Sequence, residues 1–539
     1  MSLRAPILAA AAALALHLPA QAGPAPMELP DVAVPIPTRN LKDDAALSGF
    51  MDQLDSRWRD LELRMRRCEV ETSQPDSCQS DRWAQELSEL LATPEYVDVV
   101  WRRGPKAHDP ALRERMERAF PAMLTAVFDR DPSLRQLLDP IADTVASFRP
   151  EVGGILVTRE QAREIMRRDE DRARRRAAYE SGSPLSQRIA PDLRDLMRRR
   201  NLLAERFGYH DFVEMKLGAE LLSSQQLKTI EDTLERATRV PYRRLCQRLR
   251  SRLGVFQLHP WDLAYGQSLL DETTDTTLKG GDAGIRLASF VAGLGLNPDA
   301  LPIRLVFSQG GVYRTRCVPV DPPADIRIIS NPSDGLDGYI SLFHEYGRGM
   351  LEAHLPDARP SFRALPEVWR EAQGALFGNF TVEPDWLAGG LNLSDSSASA
   401  YRLDWVDSRL LSLRGLIMLS RFERELYTRP NVQPDSLWRS YTERYLDVEA
   451  PDASLWASET PLLVQPLGYS RYLASEVIAA QLLVAARSRF GHAEGGKLGQ
   501  FLVDEVYKPG ATLPWIEVLL RATGSTLDAH DLARELGGQ

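Results

Sequence analysis

The chain has 539 residues, of which 43% are hydrophobic and 26% are charged, and its formal net charge is −9 at pH 7. This composition is typical of a folded globular protein, and it excludes a fibrous or wholly disordered chain. Because a surface that binds nucleic acid needs an excess of basic residues, the negative net charge argues against nucleic acid as the main partner.

The N-terminal segment has the pattern of a secretory signal peptide. Arg4 precedes an apolar run and a small-x-small cleavage site that ends at Ala22. The alternative is a membrane anchor, but this run is too short to cross a bilayer, and no later stretch is long and apolar enough to do so. We therefore predict a signal peptide at 1–22, a proline-rich linker at 23–40, and a periplasmic or secreted mature protein without a membrane span.

Two of the four cysteines lie close together in the sequence. Cys68 and Cys78 flank a short polar loop between two helical patterns. An oxidising compartment favours a disulfide across such a short closure, so we predict that these two residues are paired. Cys246 and Cys317 lie in dissimilar sequence contexts, and we expect each to be buried singly.

From residue 41 onward, helical periodicity dominates the sequence. Apolar residues recur at intervals of three and four, and proline, glycine or polar turn residues end each run. There is no internal repeat, so the pattern predicts one helical domain over 41–539. The predicted helices of the N-terminal half are 47–66, 82–102, 112–146, 159–179 and 185–207.

One region between the helical stretches has strand character. Short runs rich in β-branched residues at 303–307, 314–320 and 325–330 are separated by Gly-Gly and Pro-Pro turns. They predict a small sheet, and helical spacing returns directly after it at 336–353. The residues of most chemical interest lie on that helix.

The helix predicted at 336–353 carries a variant of a zinc-binding motif. In HExxH, two histidines four residues apart lie on one helix face and bind one zinc ion, while the glutamate accepts a proton from metal-bound water. His344 and Glu345 are present here, but Arg348 replaces the second histidine. A His-Glu pair alone is weak evidence, because it occurs by chance in many chains.

Two downstream features strengthen the interpretation. Glu371 lies on the next helical pattern, where glutamate-type zinc peptidases bring their third metal ligand. Further along the chain, Arg471 and Tyr472 open another helix and supply a guanidinium and a phenol of the kind that stabilise an oxyanion. The structural alternative for this pair is that both side chains simply pack and cap the helix.

Together these residues resemble the angiotensin-converting-enzyme family of peptidyl-dipeptidases, which are HExxH gluzincin metallopeptidases related to thimet oligopeptidase. The stretch 199–212 is similar to the family's upstream helix and the turn that follows it. The resemblance extends diffusely over 40–535 and is specific at 338–374 and 469–472. It implies a mainly α, two-lobed fold with a deep central channel and a small antiparallel sheet beside the motif helix.

The resemblance also implies roles for individual residues. His344 and Glu371 would be zinc ligands, and Glu345 would be the general base. Tyr472 would be the phenol that stabilises the transition state, and Arg471 would bind an anion at a chloride site. Zinc and chloride are thus the ligands expected from the family, and peptides are the expected partners.

The main departure from the family is Arg348 itself. An arginine side chain stays protonated and has only hydrogen-bond donors, so it cannot coordinate zinc. His354 is an unconvincing replacement, because it would lie too far along the axis if the helix continues past Leu351. The carboxylate that the family has four residues after its glutamate ligand is also missing, since that position is Ala375.

Two hypotheses follow for the arginine. Arg348 either replaces zinc as the cation that ties the two helices together, by pairing with Glu371 and Glu345, or it points into solvent. For the whole chain we predict an exported metallopeptidase homologue, a pseudoenzyme whose hydrolysis is lost or strongly reduced and whose peptide-binding channel is retained. The alternative is an active zinc-dependent dipeptidyl carboxypeptidase with an atypical metal site.

Overall fold

The computed structural model describes residues 35–39, 41–71, 78–271, 278–307, 315–459, 461–491, 496–510 and 512–537. The predicted signal peptide at 1–22 lies outside the described residues, as does most of the predicted linker at 23–40. Within these ranges, no helix is both long enough and apolar enough to cross a membrane.

Helices make up most of the described structure, as the sequence predicts. Many begin at a side-chain cap or at a proline in the first turn, both of which favour helix initiation. Two π-helical turns also occur, at Trp386–Gly390 and Leu502–Tyr507. The helices are α1 (Asp44–Glu71), α2 (Ser80–Leu91), α3 (Pro94–Arg103), α4 (Pro110–Arg130), α5 (Pro132–Ser147), α6 (Arg159–Arg168), α7 (Arg172–Glu180), α8 (Ser183–Arg206), α9 (Phe212–Ala219), α10 (Ser224–Leu253), α11 (Pro260–Asp271), α12 (Ala283–Gly293), α13 (Leu336–Ala353), α14 (Glu367–Phe380), α15 (Asp395–Thr428), α16 (Pro434–Leu446), α17 (Pro461–Val464), α18 (Gly468–Phe490), α19 (Leu498–Phe501), α20 (Lys508–Gly510), α21 (Trp515–Thr523) and α22 (His530–Gly537).

Three of the predicted helices are each two helices in the structure. The break between α4 and α5 lies at Asp131, whose side chain caps the new helix by accepting hydrogen bonds from the amides of Ser133 and Leu134. Asp171 caps α7 in the same way, and Pro94 occupies the first turn of α3. Apolar periodicity continues across such breaks, so it predicts the helical type but misses the boundary.

The predicted sheet beside the motif helix is present, but it is mixed rather than antiparallel. β4 (Arg316–Asp321) and β5 (Asp325–Ser330) form an antiparallel hairpin, whereas β3 (Ile303–Phe307) runs parallel to β5 on its other side. A tight turn forces β4 and β5 to be antiparallel. No such turn constrains β3, and strand order is not encoded in the local alternation of side chains.

A second, two-stranded sheet was not predicted. β1 (Glu151–Val152) and β2 (Ile155–Leu156) pair across Gly153 and Gly154, both of which have positive φ. A Gly-Gly turn supports a tight hairpin because glycine adopts these angles without steric cost. The Gly153-Gly154 pair was therefore the feature of the sequence that could have predicted this hairpin.

Two large buried apolar clusters, together with a minor one of three residues, stabilise the described chain. The smaller of the two large clusters is built from helices α1–α4, with Met51, Leu54 and Met116 fully buried. The larger cluster extends over most of the remaining helices and includes the inward face of the three-stranded sheet. Helix α13 lies in the larger cluster, against that sheet on one side and against α14 on another.

Helices α13 and α14 approach each other closely because glycines line their contact. A Cβ atom added at Gly347 would lie 2.4 Å from the Gln373 carbonyl oxygen and 2.7 Å from Phe377 Cβ. At Gly374, an added Cβ would lie 2.6 Å from the ring of His344. The missing side chains therefore allow His344 and the side chains of α14 to meet.

We predict that Gly347→Ala destabilises the protein by about 1–3 kcal/mol, because the new methyl group overlaps the backbone of α14. Gly415→Ala is the matched control: it lies in helix α15 with nothing within 4 Å of its added Cβ, so it should stabilise the helix by about 0.5–1 kcal/mol. Urea titration gives both free energies of unfolding. Equal stabilities for the two variants would contradict the close packing.

Candidate functional site

His344 lies at the contact between α13 and α14 and is 4% exposed. Its Nδ1 is 3.2 Å from Glu345 Oε1, and its Nε2 is 3.8 Å from Glu371 Oε2. Burial by itself lowers the pKa of His344. The hydrogen bond to Glu345 and the negative charges of both glutamates outweigh burial and raise the pKa above its usual value. The imidazole therefore lies between two carboxylates.

Arg348 also points into this contact. Its NH1 atom donates to Glu371 Oε1, its NH2 atom is 3.6 Å from Glu367 Oε2, and its Nε atom is 3.8 Å from Glu345 Oε2. The guanidinium thus joins α13 to two carboxylates of α14. The hypothesis that Arg348 points into solvent is wrong, and the hypothesis that it pairs with Glu371 agrees with this geometry.

The charges of this contact reinforce one another. Burial disfavours the ionised form of Arg348, but the charges of Glu371, Glu345 and Glu367 raise its pKa well above the usual range. Burial likewise raises the pKa of Glu367, yet the neighbouring Arg370 and Arg348 lower it to about 2. The ion pairs are therefore formed throughout the physiological pH range.

A second arginine repeats the arrangement beside the first. Arg370 of α14 places its Nε 2.7 Å from Glu352 Oε1 of α13, and its NH1 is 3.1 Å from Glu367 Oε1. Glu367 consequently lies between Arg370 and Arg348. We call Arg348, Arg370, Glu352, Glu367 and Glu371 the interhelical ion-pair cluster.

Glu345, predicted as the general base, has both oxygens engaged. Oε1 is the atom near His344, and Oε2 accepts a hydrogen bond of 2.9 Å from the backbone amide of Cys317 in β4. Burial raises the pKa of Glu345, but the hydrogen bond from His344 and the charge of Arg348 outweigh it, so the pKa is lowered. This carboxylate links α13 to the sheet.

Tyr472 is brought to the same place from helix α18. It is 6% exposed, and its hydroxyl donates a hydrogen bond of 3.1 Å to Gln465 Oε1. The phenol and His344 both face a partly open cavity that is lined by residues of α13, α14, α15 and α18. The residues that line this cavity are His344, Glu371, Ala375, Arg409, Ser412, Leu413, Leu416, Tyr472, Ser475 and Glu476.

Arg471, predicted to bind an anion, already faces a carboxylate of the protein. Its NH1 atom is 3.7 Å from Glu220 Oε1, and its guanidinium lies 5.2 Å from the centre of the Tyr472 ring. Burial lowers the pKa of Arg471, but the charge of Glu220, together with those of its other acidic neighbours, outweighs burial and raises the pKa. The expected chloride would therefore have to share Arg471 with Glu220.

Three other residues considered in the sequence analysis lie away from the cavity. Cys68 and Cys78 form a disulfide that joins the end of α1 to the chain preceding α2. Helix α13 continues to Ala353, and His354 directs Nδ1 to the Met350 carbonyl oxygen at 2.7 Å. His354 is therefore not a co-ligand of His344.

The residues at the site do not fit a zinc ion in this arrangement. His344 and Glu371 supply two donors, but the third position holds the guanidinium of Arg348, which is bonded to Glu371 itself. Across the described ranges, no group of three or more histidine, cysteine, aspartate and glutamate side chains is placed to hold a metal ion. A guanidinium has no lone pair to replace the missing imidazole.

The sequence analysis missed four charged residues of the site. Glu367 lies four residues before Glu371 and so shares its helix face, which was a usable signal. Glu220 belongs to a distant helix end, and the Arg409–Glu476 ion pair joins two helices far apart in the sequence. No local pattern could have found these last contacts.

Two solved structures with this fold are named as peptidases. One is described as PZ peptidase A with an inhibitor; it is 16% identical in sequence, its TM-score is 0.63, and the match covers 93% of each chain. The other is described as a putative oligoendopeptidase F, with 17% identity, a TM-score of 0.62 and the same coverage of 93% of each chain. No protein-family profile and no curated protein sequence matches the chain. The prediction of a mainly helical fold is confirmed, and the chain shares this fold with two structures that are named as peptidases.

We predict that Arg348→Ala destabilises the protein by about 1–3 kcal/mol, because it leaves partly buried carboxylates without their cation. Arg168→Ala is the control, since that side chain is 67% exposed and its ion pair among the described residues is with Glu164 on its own helix. The control should change the free energy of unfolding by less than about 0.5 kcal/mol. Thermal and urea unfolding measure both, and equal effects would contradict a structural role for Arg348.

Proposed function

We propose that this protein binds peptides in the cavity beside His344 and Tyr472, and that its zinc-dependent hydrolysis is lost or strongly reduced. The peptidase fold supports a peptide as the ligand. The observation that carries the proposal is the ion pair between Arg348 and Glu371. The arginine occupies the position of the missing histidine ligand, and it also engages the carboxylate of Glu371, which a zinc ion would need as a ligand.

The loss of one direct ligand is a severe change for a metal site. Replacement of a residue that only orients a metal ligand typically lowers metal affinity or activity by 10- to 100-fold. Here a direct ligand is replaced by a cation that repels the metal. The motif residues His344, Glu345, Glu371 and Tyr472 support descent from an active peptidyl-dipeptidase, and the arginine supports the loss of its chemistry.

We also propose that the protein acts after export, in the periplasm or outside the cell. The N-terminal pattern of a basic residue, an apolar run and a small-residue cleavage site supports export. The disulfide between Cys68 and Cys78 fits this location, because disulfides persist in oxidising compartments.

A second candidate function is an active zinc peptidase with an atypical metal site. His344 Nε2 and Glu371 Oε2 lie 3.8 Å apart and face the same cavity, so two of the family's ligand positions remain adjacent. This function requires Arg348 to leave Glu371. Metal analysis and cleavage assays separate the two candidates.

We expect the purified protein to contain substoichiometric zinc by inductively coupled plasma mass spectrometry, because Arg348 occupies a ligand position. Arg348→His should bind zinc measurably, since it restores an imidazole four residues after His344. Arg168→His is the matched control and should bind no more zinc than the unmodified protein. Stoichiometric zinc in the unmodified protein, or chelator-sensitive release of dipeptides from test peptides, would establish the second candidate instead.

We expect Ser412→Trp to weaken peptide binding by roughly tenfold or more, because the indole fills the cavity. Leu403→Trp is the control on the same helix, at a position that is 67% exposed and outside the cavity. The probe is a random decapeptide library, with the retained peptides identified by mass spectrometry and the affinity of selected peptides measured by fluorescence anisotropy. Unchanged affinity in Ser412→Trp would show that peptides do not occupy the cavity.

A further inference from the structure

The turn that leads into helix α18 has an unusual backbone. Leu467, the residue before the helix, has φ of +62°, in the left-handed region that non-glycine residues seldom adopt. No side chain of the turn itself caps the helix. A backbone of this kind persists only where surrounding contacts hold it.

The contact that holds this turn comes from helix α15. The amide of Leu467 donates a hydrogen bond of 2.8 Å to Glu423 Oε1, and Glu423 is fully buried. One turn earlier on α15, the hydroxyl of Ser420 is 2.9 Å from that of Ser470. Glu423 and Ser420 thus fix the start of α18 against α15.

The same turn sets the position of the cavity's phenol. The hydroxyl of Tyr472 donates to Gln465 Oε1 at 3.1 Å, and the amide of Gly468 donates to the Gln465 carbonyl oxygen at 2.9 Å. The amide of Arg471 donates to the Leu467 carbonyl oxygen at 3.2 Å. Tyr472 and Arg471 are therefore held through the turn that Glu423 anchors.

We propose that Glu423 is a positioning residue, which holds the turn before α18, keeps Tyr472 against the cavity, and releases that turn when its carboxyl group ionises. Glu423 does not itself line the cavity. Its influence on Tyr472 passes through the hydrogen bond to Leu467 and the turn from Gln465 to Gly468.

The surroundings of Glu423 favour the neutral acid. Within the described part of the chain, its Oε2 is buried and has no hydrogen-bond partner. Burial raises the pKa of Glu423 to about 8, because it outweighs the hydrogen bond from Leu467 and the nearby positive charges. The charged or titratable groups that face it are Arg200 of α8, Lys216 of α9, Arg424 and Tyr427 of α15, and Tyr469 of α18.

The sign of the pH dependence follows from this shift. In the unfolded chain the pKa of Glu423 returns to its ordinary value of 4.5, so the folded state binds more protons between that value and about 8. The stabilisation from the neutral acid is complete below pH 4.5 and is lost as pH rises through about 8. Above that pH the closed turn would have to bury the charge of the Glu423 carboxylate, and this cost favours opening of the turn.

The first test compares unfolding of the unmodified protein with that of Glu423→Gln between pH 5 and 9. The amide keeps a hydrogen-bond acceptor for Leu467 but cannot ionise. We expect the unfolding constant of the unmodified protein to rise relative to that of the variant by about tenfold per pH unit up to about pH 8. Glu443→Gln, at an exposed position of α16, should show no such trend. A parallel pH dependence in Glu423→Gln would overturn the proposal.

The second test follows the turn directly by hydrogen exchange in segment 465–472, corrected for intrinsic rates. Glu423→Leu should speed exchange there, whereas Glu423→Gln should preserve protection up to pH 9. In the unmodified protein, protection should fall as pH rises through about 8. Unchanged protection in Glu423→Leu, or equal protection at high pH in the unmodified protein and Glu423→Gln, would overturn the proposal. If Glu423→Leu does not fold, the comparison of the unmodified protein with Glu423→Gln still tests the proposal.

The third test rests on the proposed function, because it measures peptide affinity by anisotropy. The unmodified protein should lose affinity as pH rises through about 8, and Glu423→Gln should retain it. If neither protein binds peptide at any pH, the proposed function fails while the exchange result still decides the role of Glu423. Binding with the same pH profile in both proteins would overturn the coupling between Glu423 and the cavity.

Discussion

The guanidinium of Arg348 lies among three carboxylates at the contact between α13 and α14, and the chemistry of the site depends on it. In a peptidase with this motif, a divalent cation would offset these negative charges. Here the offsetting charge is covalently part of α13, and its nearest partner is Glu371. A buried carboxylate without a cation costs several kcal/mol, so the guanidinium of Arg348 stabilises the helix pair by offsetting the charge of these carboxylates.

The ion pairs form only because the two helices approach so closely. Gly347 and Gly374 leave no side chain between the helices, and the ring of His344 occupies the space beside Gly374. Arg370 then repeats the charge pattern next to Arg348, sharing Glu367 with it. Close backbone packing and charge neutralisation support each other, because the packing brings the charged side chains together and the ion pairs offset the charges that the packing partly buries.

The cavity extends this arrangement to α15 and α18. His344 and Glu371 form one wall, and Tyr472 approaches from a turn whose left-handed residue, Leu467, is held by a buried acid of α15. The side facing α13 and α14 is therefore fixed by charge, whereas the side facing α18 is fixed by a hydrogen bond to Glu423. The two sides of the cavity differ in their response to pH, because the arginine on one side does not titrate but the buried Glu423 on the other side does.

The sequence by itself determined the helical class, the small sheet, the exact span of α13, and the residues His344, Glu345, Arg348 and Glu371, since periodicity and motif spacing are local properties. Proline and aspartate caps split three predicted helices, because apolar periodicity continues across a capped break. Tertiary structure alone decided that Arg348 turns inward and that β3 is parallel to β5. It also brings Glu220 and the Arg409–Glu476 pair to the site, and it places Glu423 against the turn before α18. These contacts join segments far apart in the chain, and whether a charged side chain meets a partner or solvent depends on which helices pack together, which local spacing does not encode.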